Sequence, residues 1–165
     1  MNPAKLTPIY QATGTDDSWQ TADDRVMGGV SIATLTSRQL DGSPCRCLTG
    51  SVSLENRGGF VQMKWPINDR DASAYTGVYV DAWGNNEDYN IHVRTAQLWL
   101  PWQSFRQTFH ATPMWTTHFL PFNRFENYKT WSSLDASSIS KIAVVAIGRA
   151  FQADICVRAW GFYSV

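Results

Sequence analysis

Apolar and polar positions alternate with a period of two along much of this chain. In Tyr89–Thr95, Tyr89, Ile91 and Val93 share one face while Asn90, His92 and Arg94 share the other. In Ser104–Ala111, Phe105 and Phe109 oppose Arg106 and His110, and Leu48, Val52 and Leu54 line one side of Cys45–Leu54. Such alternation marks antiparallel strands with one buried face and one wet face. Rich β-branched and aromatic content predicts strands over Ser31–Ser37, Cys45–Leu54, Gly59–Trp65, Gly77–Trp83 and Tyr89–Thr95. The same content predicts Ser104–Ala111, Thr116–Leu120, Lys141–Ile147 and Asp154–Tyr163. Lys141–Ile147 is nearly continuously apolar, which predicts a central strand covered on both faces. Reversals are expected at Asp41-Gly42-Ser43-Pro44, Arg57-Gly58-Gly59 and Gly84–Asp88, and a single helical turn capped by Asp135 in Leu134–Ser140. These strands and brief connections predict an all-β fold, a two-sheet antiparallel β-sandwich of jelly-roll kind, with an up-and-down barrel as the alternative.

Composition narrows the partners. The 165 residues are expected to form one domain, 1–165, with 1–15 (prolines at 3 and 8) as a loosely attached arm. Lys+Arg and Asp+Glu each number 14 and are scattered, so the basic surplus that nucleic-acid binding needs is missing. No apolar run reaches the length of a membrane span or signal peptide, which makes a cytoplasmic protein the expectation. Cys45 and Cys47 sit two apart on one strand, facing the same way and poorly placed to bridge each other, while Cys156 is alone in an apolar run. Reduced thiols in a cytosol-like compartment are therefore expected.

Catalytic motifs are sparse. No nucleophile elbow, phosphate loop or dinucleotide fingerprint occurs. His92, His110 and His118 lack metal-ligand spacing, although His92 and His110 with a cysteine from a neighbouring strand form a conceivable zinc set. The pairs Asp16-Asp17, Asp23-Asp24 and Asp69/Asp71 have the composition of an acid–base couple or a calcium site, and equally of solvated or capping loop residues. The expectation is no enzyme, no cofactor and no metal.

Two loops carry more information: Trp19 followed by Asp24-Arg25-Val26-Met27-Gly28-Gly29-Val30-Ser31, and Leu54-Glu55-Asn56-Arg57-Gly58-Gly59-Phe60. Each sets a Gly-Gly pair beside large apolar groups. One reading is that the glycines shape tight connections while Met27 and Phe60 plug the core. The other is a place where something packs directly on main chain. These loops, followed in order by Tyr89–Thr95, Pro101–Phe109, Trp115 and Leu120-Pro121-Phe122, resemble the complex I intermediate-associated protein 30 family over nearly the whole chain from Trp19 onward.

The resemblance implies a galactose-binding-like jelly roll similar to carbohydrate-binding modules. It also implies a role like that of the family's mitochondrial members, which are assembly factors for respiratory NADH:ubiquinone oxidoreductase. Plant relatives fuse the domain to a dinucleotide-binding domain, whereas this chain reads as a bare, bacterial-type member. The leading expectation is a non-catalytic, chaperone-like assembly module recognising a protein partner, such as a respiratory-complex intermediate. Its expected contact surface is the polar sheet face around His92, Arg94 and Arg106, flanked by Trp99 and Trp102, because Arg and Trp concentrate interface energy. Against it stands the reading that these side chains make only cross-strand and cation–π pairs, with Arg94 and Arg106 bound to Asp81 or Asp154. A carbohydrate-binding module using Trp99, Trp102 and Arg94 is the alternative, and a small-ligand pocket is a third.

Overall fold

The computed structural model describes residues 4–13 and 17–165; Asp16 and the side chain of Asp69 fall outside the description. The described residues form twelve strands: β1 (Lys5–Gln11), β2 (Gln20–Asp23), β3 (Thr34–Leu40), β4 (Ser43–Val52), β5 (Phe60–Arg70), β6 (Gly77–Trp83), β7 (Glu87–Thr95), β8 (Ser104–Ala111), β9 (Thr116–Pro121), β10 (Glu126–Tyr128), β11 (Ile139–Ile147) and β12 (Phe151–Ser164). All are antiparallel to their neighbours, in two six-stranded sheets. The first runs β3-β4-β12-β6-β9, with β1 also paired to the long β12; the second runs β10-β8-β7-β11-β5-β2. Helical structure among the described residues is limited to short 3-10 turns, one of them Ala136–Ser138 with Asp135 as its N-cap.

The alternating strands turn their apolar faces inward as the period predicts. Leu48, Val80, Trp160 and Phe162 of the first sheet meet Met63, Ile91, Val93, Ile142 and Val144 of the second in one core. Trp65 sits among Trp19, Tyr10 and Trp160 at ring separations of 5.2, 5.1 and 6.1 Å, closing one end of the sandwich. β11 lies between β7 and β5, and Ala143 and Val145, which point away from the core, are buried as well.

The structure corrects four expectations. Lys5–Gln11 is not a loose arm but a strand paired with β12; Pro8, which lacks a backbone N–H, is accommodated on this edge, with a register shift between Pro8 and Tyr10. β3 begins at Thr34 rather than Ser31, because the Ser31 and Ala33 amides donate to the Asp24 and Asp23 carboxylates. Leu54 is half exposed, since β4 ends at Val52 and the chain turns into a 3-10 segment. Cys47 and Cys156 are not reduced but bonded to each other, because β4 and β12 pair in the register that sets them directly opposite. Cys45 stays a free, buried thiol 3.8 Å from Cys47 Sγ. A disulfide persists in an oxidising compartment, so cysteine usage no longer supports a cytosol-like one. Among the described residues, no helix is long and apolar enough to cross a membrane.

Candidate functional site

The two Gly-Gly loops meet over a single buried carboxylate. Asp24 opens the 3-10 turn Asp24–Met27 and is 0% exposed. Its Oδ1 accepts from the Ser31 amide at 2.8 Å, and its Oδ2 accepts from the Gly59 and Phe60 amides at 2.6 and 3.2 Å. Burial works to raise the Asp24 carboxyl, but the Ser31 side chain and then these backbone hydrogen bonds outweigh it and hold the group below the ordinary carboxylate value. The glycines are explained by this packing. A Cβ on Gly29 would lie 2.4 Å from Asp24 Oδ1, and one on Gly58 would lie 2.5 Å from Oδ2. Gly28 and Gly59 adopt φ of 88° and 139°, where a side chain is strained. Asn56 also takes positive φ (55°) in the second loop.

Neighbouring groups extend the clamp. Asp23 accepts the Arg25 guanidinium through both oxygens at 2.9 and 2.8 Å, and the Ala33 amide at 2.9 Å. Ser31 Oγ accepts from the Ser53 amide at 2.8 Å, tying the loops together a second time. Asp23 and Asp24 are therefore structural caps whose lone pairs are taken by backbone and guanidinium donors. Trp19 is a core residue. The expectation that Met27 and Phe60 plug the core is overturned: the short turn points Val26 and Met27 outward, 80% and 54% exposed, and Phe60 faces away from the core beside them.

Beyond these apolar tips a groove of about 580 Å³ crosses the outer face of the second sheet. It takes a residue from each of the six strands: Ala22 on β2, Lys64 on β5, Lys141 on β11, His92 and Arg94 on β7, Ser104 on β8 and Tyr128 on β10. Trp102, 52% exposed, stands on its wall. Arg94 holds that wall in place by donating to the carbonyls of Leu100 and Gln103 at 2.8 and 2.5 Å, and to Leu98 at 3.4 Å. His92 is only 8% exposed; its Nδ1 lies 3.3 Å from Ser104 Oγ, and its Nε2 has no hydrogen-bond partner. Burial first, then the charges of Arg106 and Lys141, push the imidazole down to about 3, so it is neutral. Lys141 is lowered to about 8 by burial and by Lys64 and Arg94.

Of the residues expected on this face, His92, Arg94 and Trp102 line the groove together. Arg106 lies beside it with its guanidinium 4.5 Å above the Tyr128 ring, in a second depression of about 400 Å³ that also holds Arg124 and Glu126. Trp99 is 91% exposed and outside the lining. Arg94 and Arg106 do not pair with Asp81 or Asp154: those acids lie on the other sheet, bound to Arg158 at 2.6 Å and Arg38 at 3.0 Å. The conceivable zinc set is not assembled either, since the cysteines lie on the first sheet while His110 pairs with Asp88 at 2.8 Å on the second. Among the described residues, the metal-ligating atoms that do converge are the sulfurs of Cys45, Cys47 and Cys156, two of them consumed by the disulfide. Lys64, Lys129 and Lys141 were not expected on the groove, because the pairing that gathers them joins strands distant in sequence.

Two antiparallel sheets in this order, with a groove across one face, define a jelly-roll β-sandwich of the carbohydrate-binding-module fold. The structure is similar to the family 11 module of the cellulosomal cellulase Lic26A-Cel5E of Clostridium thermocellum, with a TM-score of 0.79 and 10% identity over 99% of this chain and 95% of that one. The Clostridium thermocellum family 11 module in complex with a β-1,3-1,4-mixed-linked tetrasaccharide matches with a TM-score of 0.78 and 10% identity, over 98% and 96% of the two chains. A family 30 carbohydrate-binding module matches at 0.59 and 17% identity, over 80% and 90%. At such identities the likeness is one of fold. No curated protein matches in sequence. The family itself is nonetheless defined: residues 9–154 match the model of complex I intermediate-associated protein 30 (CIA30), and the chain belongs to that family.

Proposed function

We propose that this chain is a non-catalytic assembly module that seats a segment of a protein partner in the groove across the second sheet. The observation that carries the reading is the set of apolar side chains held out in solvent on rigid supports: Val26 and Met27 on the Asp24 clamp, and Trp102 on the loop stapled by Arg94. Large apolar groups fixed at the rim of a groove lose water contact when a partner docks, without the entropy cost of ordering a mobile loop. The groove lining carries no carboxylate or thiol, and its imidazole is neutral. Membership in the CIA30 family supports an intermediate of the respiratory complex as the partner.

A photo-crosslinking residue at Met27 or Trp102, introduced in cells of the source organism, is expected to capture one defined protein. The same probe at Thr117, on the exposed face of the first sheet, is expected to capture none. Equal capture at all three sites would overturn the reading. A second reading, carbohydrate binding, draws on Trp102 and Tyr128 in the groove and on the fold shared with the family 11 modules. Saturable calorimetric binding of a mixed-linkage β-glucan tetrasaccharide, abolished by Trp102→Ala, would put it first.

A further inference from the structure

The groove is a cationic surface on a neutral protein. Lys64, Arg94, Lys129 and Lys141 line it and no acidic residue does, although the chain has 14 bases and 14 acids. Arg94 stands directly opposite Lys141 across β7 and β11, while Lys64 is paired with Ala143, two residues along from Lys141. Like charges facing each other across strands are destabilising, and none of the four joins an ion pair among the described residues. Arg94 is spent on carbonyls and Lys129 lies 5.3 Å from the Tyr128 ring centre, so Lys64 and Lys141 are the bare charges. Burial first, and Lys64 and Arg94 after it, lower Lys141, and a bound anion would relieve the part that the two cations contribute.

A second observation points the same way. His92 Nε2 is enclosed beneath this charge cluster without a partner, and a buried polar atom left unpaired is costly. In the tautomer in which the Ser104 hydroxyl donates to Nδ1, Nε2 carries the ring proton and offers a donor to whatever enters. The other end of the groove is aliphatic and aromatic, formed by Val26, Met27, Phe60 and Ile147. A ligand that fits both ends carries anionic groups and bulky apolar groups on one extended chain. Free phosphate has no use for the apolar end. Val26, Met27 and Ile147 make that end aliphatic apart from Phe60, which favours polypeptide over sugar, whose rings stack on aromatic faces.

Resting on the reading of the groove as a partner site, we propose that it selects an extended acidic segment, its carboxylates on Lys64 and Lys141 and an apolar side chain between Met27 and Phe60. Phe60 and Lys64 lie four residues apart along β5, about 13 Å, which is the reach of about four extended residues. The probe is a fluorescein-labelled peptide of alternating Glu and Leu, read by anisotropy against the same peptide with Gln for Glu. The Glu peptide is expected to bind at least about tenfold more tightly, with the advantage shrinking as salt is raised. The double variant Lys64→Gln/Lys141→Gln is expected to lose that tenfold while melting no lower than the parent, because it removes a repulsion rather than a support.

Equal affinity for the two peptides, or an unchanged affinity in the double variant, overturns the inference. So does an oligogalacturonate or inorganic phosphate that displaces the peptide while binding more tightly than it. The crosslinks at Met27 and Trp102 separate the two levels. If they persist when acidic selectivity fails, only the charge assignment falls; if they too are absent, the partner-site reading falls with it.

Discussion

Replacing Asp24 with Asn tests whether one buried carboxylate holds both glycine loops. The carboxylate accepts three backbone hydrogen bonds, one on Oδ1 and two on Oδ2. An asparagine has a single acceptor oxygen, so in its better orientation it keeps the Gly59 and Phe60 bonds and turns its NH2 against the Ser31 amide. One charge-assisted bond is then lost, at about 1.5–3 kcal/mol, and a buried donor is left facing another donor, at about 1–3 kcal/mol. The expected loss is about 2.5–6 kcal/mol in urea unfolding followed by tryptophan fluorescence. A double-mutant cycle sharpens the test. Gly58→Ala alone drives a Cβ to 2.5 Å from Asp24 Oδ2 and is expected to cost about 1–3 kcal/mol. In an Asp24→Ala background most of that collision is gone, so the double variant should lose less than the sum by about 1 kcal/mol or more. A loss below about 1 kcal/mol for Asp24→Asn, or strict additivity in the cycle, would refute the clamp.

Two further outcomes follow from buried groups. His92 titrates near 3 when folded and near its ordinary 6.5 when unfolded, so between those values the unfolded chain binds the extra proton. Stability should fall as pH drops through that window, by up to about 1.4 kcal/mol per pH unit, and denaturant melts of His92→Gln should lack this slope. A parent and variant with the same acid profile would place His92 in contact with water. The Cys47–Cys156 bond joins residues 109 apart, and on a loop-closure argument its reduction should cost up to about 4–5 kcal/mol. Thermal melts with and without reductant measure this, and alkylation of the unfolded, unreduced chain should label Cys45 alone; labelling at all three cysteines would remove the disulfide.

The strands that the sequence made legible are those whose period-two pattern is long enough to stand out. β6 and β8 run over the predicted residues, and the other seven predicted segments differ only at their ends. The three strands missed lie at edges or are short. β1 carries Pro8, β2 has four residues and β10 three, so pairing with a neighbour rather than local pattern makes them strands. His92, Arg94 and Trp102 were readable as a shared face because they lie on β7 or on the loop before β8. Lys64 and Lys141 were not, since a sheet places them through the register of β5, β11 and β7, which no local spacing encodes. The disulfide was hidden for the same reason. The Asp24 clamp was half visible: the glycines announced a constrained backbone, but only the fold shows that a carboxylate is what they pack against.

These placements separate the residues that carry the family resemblance from those that line the groove. Trp19, Asp24, Ser31, Gly29, Gly58 and Gly59 are consumed in core packing and in the clamp, so their chemistry faces inward. Among these motif residues Val26, Met27 and Phe60 reach the groove, the first two because the clamp fixes the turn that carries them. The residues that give the groove its charge, Lys64, Lys129 and Lys141, stand outside both motifs. A chain could therefore keep both loops, and with them the sandwich and its apolar rim, while exchanging these lysines for neutral or acidic groups and turning the same cavity toward another class of ligand. Fold likeness to carbohydrate-binding modules and membership in the CIA30 family are compatible on this account, because both follow from the scaffold, whereas under the proposed function the occupant is decided by a few outward positions on β5, β10, β11 and the turn after β10.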